Sequence, residues 1–97
     1  MKILKRMNQP MSRKEKLLLK LLTGNADANF DLDDLVQILV RLAFEERKTG
    51  GSHRIFLKEG IEGILNLQKT KDGKAKPYQV KQVRDFLVNH KIINEDD

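Results

Sequence analysis

Apolar residues repeat at helical spacing in two segments of the N-terminal half of the chain. The first stripe consists of four leucines, Leu17, Leu18, Leu21 and Leu22. Ser12 followed three residues later by Glu15 is a capping box ahead of this stripe, and Gly24 is a typical C-terminal stop. The pattern predicts a first helix over residues 13–23.

The second stripe comes after a polar loop and consists of Leu35, Ile38, Leu39 and Leu42. Asp31 has the position and the chemistry of an N-terminal cap, and Phe30 and Leu35 have the spacing of a hydrophobic staple. We therefore predict a second helix that begins after Asp31 and ends at Ala43.

Beyond the second helix the hydrophobic period shortens to that of strands. Three strands are predicted, at residues 44–48, 52–58 and 64–69, separated by turns with the sequences TGG and EGIEG. Turns this short favour an antiparallel meander. In the third strand Leu65 and Leu67 share one face and their neighbours are polar, so one side of the sheet is predicted to be dry and the other wet.

A third helix is predicted from Pro77, which suits the first helical position, to about His90. Its apolar stripe holds Val80, Val83 and Leu87. The order of helix, helix, three strands and helix predicts an α+β fold, with a three-stranded antiparallel sheet and helices packed on one of its faces.

Composition bounds the kind of protein this is. The 97 residues, 39% hydrophobic and 34% charged, describe one small folded domain. We place it at residues 12–93, between a basic N-terminal arm at 1–11 and an acidic tail at 94–97. The absence of cysteine excludes disulfides, thiolate zinc sites and cysteine nucleophiles. No apolar run approaches the roughly 20 residues of a membrane span, and the N-terminus lacks the apolar region of a signal peptide, so a cytoplasmic protein is expected.

Positive charge is concentrated in two blocks, with a net charge of +5 over the whole chain. The second block covers residues 69–84 and holds Lys69, Lys71, Lys74, Lys76, Lys81 and Arg84. This density suits binding to a polyanion such as RNA. Taken alone, the block is explained about equally well as a solvated lysine-rich loop, because the block contains a single aromatic residue, Tyr78.

His53 opens the second strand in the stretch GGSHRIFLK and is the main candidate for chemistry. RNA is cleaved without a metal when a base removes the 2′-OH proton and a cation stabilises the phosphorane. Histidine titrates in the right range for that base, and Gly50 and Gly51 allow a phosphate to approach the backbone closely. A structural histidine bonded to a neighbour is the competing interpretation, and the residues alone favour it.

Strand alternation leaves the position of His53 open. His53, Ile55 and Leu57 share one face of the second strand, and Arg54 and Phe56 share the other. If Phe56 faces the core, His53 lies on the wet face beside an apolar shelf. If His53 points inward, it cannot act as the base.

Two stretches of the chain, LVQILVRLAFEERKTGGSHRIF and KPYQVKQVRDFLVNHKI, carry a resemblance to a known family. The chain resembles the HicA family of toxin mRNA interferases over residues 32–93, most clearly at Gly51-Ser52-His53 and Lys76-Pro77. The resemblance implies a double-stranded-RNA-binding-domain-like fold, α-β-β-β-α, to which the helix at 13–23 is an N-terminal addition.

The function implied by the resemblance is that of an RNA-cleaving toxin, a metal-independent endoribonuclease acting on mRNA with His53 as general base. It further implies a HicB-type antitoxin as protein partner and no cofactor. The predicted RNA-binding residues are Lys48, Gly51, Ser52, Arg54, Lys69, Lys71, Lys74 and Lys76.

The chain departs from the family pattern at two places. Ala43 stands where glycine is common. Many members carry a proline and a second histidine just after the third strand, where this chain reads KTKDG, so the acid for the leaving group is unassigned. His90 is assigned to the C-terminal end of the last helix, where the helix dipole favours a cation. Two histidines without cysteine give no metal-site spacing.

Three classes of function therefore stand side by side. The first is the endoribonuclease toxin, and the second is a non-catalytic RNA-binding module of the same fold. The third is a protein-interaction domain whose basic face binds an acidic partner.

Overall fold

Two helices precede the sheet in the computed structural model, which describes residues 11–93. Helix α1 spans Arg13–Thr23, and a 3₁₀ turn at Asp27–Asn29 leads to helix α2 at Leu32–Arg41. The predicted capping box of α1 is confirmed, because the Ser12 hydroxyl accepts a hydrogen bond from the Glu15 N–H and the Glu15 carboxylate accepts one from the Ser12 N–H. Apart from Met11, the predicted basic arm lies outside the described residues, as does the acidic tail.

Both ends of α2 differ in detail from the prediction. Asp31 occupies the N-cap position, but its side chain makes no capping hydrogen bond and pairs with Lys74 instead. The helix ends before Ala43, which takes the left-handed conformation with a φ of 69°. The N–H groups of Ala43 and Phe44 bond to the carbonyls of Val40 and Leu39, and this pattern is a Schellman motif. Glycine suits that position best, because it has no Cβ to strain the turn.

The sheet is the predicted antiparallel meander. Strands β1 (Glu45–Lys48), β2 (His53–Leu57) and β3 (Leu65–Gln68) lie in the order β1-β2-β3. Each strand is one or two residues shorter than its predicted segment. Phe56 pairs with Leu65 in the register, and both are buried against the helices.

Helix α3 spans Pro77–Asn89 and begins at the predicted proline. Its buried residues pack with those of α1, α2 and the inner sheet face in one core, whose fully buried large side chains are Phe30, Phe56, Leu21, Leu32, Leu35, Leu39, Leu67, Leu87, Val80 and Val83. The predicted α+β architecture is confirmed at this level, since residues 11–93 form three α-helices and one three-stranded antiparallel sheet with a single dry face.

Arg84 connects helix α3 to α1 and to the 3₁₀ turn at Asp27–Asn29. Its guanidinium makes two hydrogen bonds to the carboxylate of Asp27, at 2.8 and 2.9 Å, and a third to the carbonyl oxygen of Leu21 at 3.1 Å. The hydrogen bond to Asp27 raises the pKa of Arg84. Because the side chain is mostly covered, Arg84 serves the fold and is withdrawn from the basic surface that the sequence predicted.

Candidate functional site

The alternation along β2 decides where His53 lies. Phe56 is 0% exposed, whereas His53 is exposed and Ile55 and Leu57 are half-buried. The helices therefore cover the Phe56 side of the sheet. We call the other side, which carries His53, Ile55 and Leu57, the open face. His53 thus takes the accessible position that a general base requires.

A row of three polar side chains crosses one end of the open face. His53 pairs with Gln68 in the register of β2 and β3. Lys69 and Ala75 form an antiparallel bridge, so the next pair along is Gln68 and Lys76. The Lys76 ammonium donates a hydrogen bond of 2.8 Å to the Gln68 side-chain oxygen. We call His53, Gln68 and Lys76 the His53 row.

Neighbouring groups hold this row in position. The backbone N–H of Gln68 donates a 2.8 Å hydrogen bond to the side-chain oxygen of Gln79, which is 4% exposed. The Gln68 side-chain nitrogen lies 3.4 Å from the Ser52 hydroxyl, to which it donates. The Thr49 hydroxyl donates to the backbone carbonyl of His53 at 3.1 Å. The backbone of both His53 and Gln68 is therefore fixed by side-chain hydrogen bonds.

Sequence reasoning missed Gln68 and Gln79 as site residues. Strand alternation puts Gln68 on the wet face, but its partner Lys76 lies beyond a loop and could not be paired with it from spacing. Gln79 lies four residues before Val83 and so falls on the apolar stripe of α3. A polar residue on that stripe indicates a buried amide with a hydrogen-bond partner, and this could have been predicted from the sequence.

The His53 imidazole makes no hydrogen bond, ion pair or ring contact with any other residue that the structure describes. A substrate can therefore reach the His53 side chain. No described protein group orients its ring. His90 is the C-cap residue of α3, as predicted, and its ring packs on Phe86 with 4.3 Å between ring centroids. It makes no contact with His53 and supplies no second catalytic group there.

Lys48 and Arg54 lie at the His53 end of the sheet but on its helix-facing side. They pair with each other in the register, and Arg54 also pairs with the buried Leu67. The Arg54 guanidinium donates two hydrogen bonds to Glu46, at 2.6 and 2.8 Å. This hydrogen bonding lowers the pKa of Glu46 and raises the pKa of Arg54. The structure does not bring these two predicted RNA-binding residues onto the face of His53.

The loop at residues 69–76 is anchored by its backbone. The Thr70 N–H donates to the Lys74 carbonyl at 2.8 Å, and the Ala75 N–H donates to the Phe30 carbonyl at 2.8 Å. A third hydrogen bond of 3.1 Å joins the Leu32 N–H to the Gly73 carbonyl at the start of α2. The basic loop is thus part of the fold and holds its lysines at defined places.

The lysines of residues 69–84 fall into two groups, those that pair with a carboxylate and those that do not. Lys74 pairs with Asp31 at 2.6 Å, which lowers the pKa of Asp31 chiefly through the hydrogen bond, and Lys81 pairs with Asp85 at 2.8 Å. Within the described part of the chain, the block's remaining lysines have no carboxylate partner; these are Lys69, Lys71 and Lys76. Of these three, Lys76 belongs to the His53 row, whereas Lys69 pairs with the buried Ala75 and so lies on the helix-facing side of the sheet.

The turn before β2 leaves space for a ligand backbone. Gly50 has a φ of 83°, and a Cβ built at Gly50 or Gly51 would meet no atom within 4 Å. Ser52 is exposed beside them and lies in reach of Gln68. This open entrance adjoins His53 directly.

Comparison of the chain with family models, with curated proteins and with solved structures found no match. No helix among residues 11–93 is long and apolar enough to cross a membrane. The same residues contain no group of three or more His, Cys, Asp or Glu side chains arranged to hold a metal ion. A function can therefore be inferred only from the open face and from the resemblance to HicA.

Proposed function

We propose that the protein is an mRNA-cleaving toxin: it binds RNA on the open face and cleaves it without a metal, with His53 as the general base. The observation that carries this proposal is the exposed His53 at the mouth of β2, in one row with an unneutralised lysine. The order α2-β1-β2-β3-α3, with a single dry sheet face, supports a double-stranded-RNA-binding-domain-like fold as the resemblance implies.

The proposed reaction is an internal transfer within one RNA linkage. His53 removes the proton of a 2′-OH, the 2′ oxygen forms a bond to the adjacent phosphorus, and the bond from phosphorus to the 5′ oxygen breaks. The products are a 2′,3′-cyclic phosphate and a 5′-OH. The leaving oxygen takes its proton from water, since no described side chain forms a hydrogen bond or ion pair with the His53 imidazole that would place an acid beside it.

Affinity for RNA comes mainly from lysines that bind phosphates. Lys69 and Lys71 are exposed on the anchored loop and carry no counterion within the described residues, whereas Lys74 is paired with Asp31. Gly51 and Ser52 offer the open turn through which an RNA backbone reaches His53. A cytoplasmic location follows from the proposed mRNA substrate.

Binding to a single-stranded RNA should weaken steeply as salt is raised, because each phosphate contact contributes about 0.7 to the slope of log affinity against log salt concentration. The double variant Lys69→Gln/Lys71→Gln should reduce this slope by roughly 1.4. Lys81→Gln is the matched control, since Lys81 is already paired with Asp85 and should leave the slope unchanged. Fluorescence anisotropy over a salt series measures both. An affinity independent of salt would argue against RNA binding.

We also propose an acidic protein of the HicB type as the inhibitor that covers His53 and the loop at 69–76. The open face supports this by combining Lys76 with the half-buried Ile55 and Leu57, an arrangement that an acidic partner with apolar side chains complements. Co-expression with the product of the adjacent reading frame should yield a complex in which His53 resists diethylpyrocarbonate. A complex in which His53 stays reactive contradicts occlusion.

A non-catalytic RNA-binding module is the second candidate function. The observation that favours it is the lack of any described side chain in contact with the His53 imidazole, which leaves the base without an orienting partner and the leaving group without an acid. A cleavage assay on a defined RNA, with EDTA present, separates the two. The toxin should cleave the RNA under these conditions, and the binding module should only bind it.

A further inference from the structure

We infer that Lys76 is the cation that stabilises the phosphorane formed against His53, and that Gln68 is the positioning residue that holds the Lys76 ammonium there. This inference rests on the proposed RNA cleavage. It assigns to Lys76 the stabilisation of the negative charge on the phosphorane, which a general base alone does not provide.

The geometry of the His53 row supports convergence on one phosphate. His53, Gln68 and Lys76 occupy three consecutive positions across the sheet, so His53 and Lys76 stand about two strand spacings apart, roughly 10 Å between their backbones. The Lys76 side chain already spans part of that gap, because its ammonium lies 2.8 Å from the Gln68 side-chain oxygen. A phosphodiester above Gln68 would be flanked by the imidazole on one side and the ammonium on the other.

Charge and position together select Lys76 among the nearby cations, since Lys69 pairs with the buried Ala75 on the helix-facing side of the sheet. The Arg54 guanidinium and the Lys74 ammonium are each bound to a carboxylate, which cancels most of their field at a substrate. Lys76 donates to a neutral amide and keeps its full charge. It also directly precedes α3, whose first turn contains no acidic residue, so the positive end of the helix dipole adds to the same potential.

Gln68 is held well enough to act as a support. Its N–H is bound by the buried Gln79 amide, and its side-chain nitrogen donates to Ser52, which leaves the side-chain oxygen directed at Lys76. An amide accepts the lysine hydrogen bond without neutralising it. A glutamate at position 68 would keep the hydrogen bond but cancel the charge, and a leucine would keep the volume but lose the acceptor.

The test compares kcat and KM for cleavage of a defined RNA by the whole chain, in EDTA. Lys76→Met should lower kcat by about 10²-fold with little change in KM, because charge develops on the phosphate only in the transition state. Lys76→Arg should recover most of this loss. Gln68→Leu and Gln68→Glu should each lower kcat, by roughly 10-fold for the leucine variant, since the ammonium then moves or is neutralised.

Two comparison variants separate this role from simple phosphate binding. Lys71→Met should raise KM and leave kcat nearly unchanged, and Lys81→Met should change neither. If Lys76→Met behaves like Lys71→Met, Lys76 binds RNA but does not stabilise the transition state, and the inference is overturned while the proposed cleavage stands. If the unaltered protein binds RNA but does not cleave it, the proposed function fails and this inference fails with it. Thermal melts of each variant exclude a loss of fold as the cause.

Discussion

Replacing His53 with alanine is expected to slow RNA cleavage by on the order of 10²–10⁴-fold while leaving RNA affinity and fold intact. The loss should be large because His53 is the only histidine on the open face, the chain's other histidine being the C-cap of α3. Affinity should survive because the lysines of the loop at 69–76 supply most of it. Stability should survive because the imidazole is exposed and makes no hydrogen bond, ion pair or ring contact with another described residue.

The measurement is single-turnover cleavage of a defined RNA with EDTA present, beside a thermal melt and a binding curve for each protein. His90→Ala is the matched control, since it removes the other histidine from the end of α3, where it packs on Phe86. Full activity in the His53 variant would remove His53 from the mechanism. Activity that EDTA abolishes in the unaltered protein would place a metal where we place the histidine.

The position of His53 fixes the backbone of the proposed base and leaves its side chain reachable by substrate, although no described group orients its ring. Its backbone is held by strand pairing with Gln68 and by the Thr49 hydroxyl. Its side chain meets open space, and the adjoining Gly50 and Gly51 carry no side chains that would keep an RNA backbone away. A strand end next to a glycine turn provides both properties.

Local signals in the sequence predicted most of the elements. The capping box at Ser12, Gly24 and Pro77 set the bounds of α1 and the start of α3 correctly, because each acts through hydrogen bonds or dihedral angles within a few residues. Ala43 and Lys91 escaped prediction. Both take left-handed backbone conformations that are uncommon for residues with a Cβ, so their identity did not indicate these conformations, although the ends of α2 and α3 were predicted to within two residues.

The ion pairs escaped prediction for a different reason. Asp31 and Lys74 are 43 positions apart, and Asp27 and Arg84 are 57 apart, so their contacts exist only once the chain has folded. Sequence reasoning grouped the six cations of residues 69–84 in one basic block and took four of them, Lys69, Lys71, Lys74 and Lys76, as RNA-binding residues. Tertiary pairing uses Lys74 and Arg84 for the fold, and of the lysines that remain without a carboxylate partner Lys76 lies in the His53 row.

The face of β2 was one of the points on which the sequence left the catalytic idea open. Its alternation allowed either Phe56 or His53 to enter the core, since the strand has apolar residues on both sides. The packed helices decide between them by burying Phe56, and the Arg54 guanidinium lies 5.8 Å from the centre of its ring on the same side. A stability measurement can check this choice without any RNA.

Phe56→Ala is expected to lower the free energy of unfolding by about 3–5 kcal/mol, because it empties a fully buried aromatic position in the centre of the core. Domains of this size have about 5–15 kcal/mol in total, so the variant should be marginal at room temperature. Phe56→Leu, which fills much of the same space, should cost only about 1–2 kcal/mol and stay folded. Urea unfolding followed by circular dichroism measures all three proteins.

Leu57→Ala is the matched control, since it removes an apolar side chain of the next residue from the opposite face of the same strand. Leu57 is only half-buried, so the cost should be about 1 kcal/mol or less. The ratio of the two alanine effects therefore reports which face of β2 lies in the core. A larger loss for Leu57→Ala than for Phe56→Ala would mean that the Leu57 side of β2 faces the core. His53 lies on the same side, so it would then be buried and could not act as the base in the proposed cleavage.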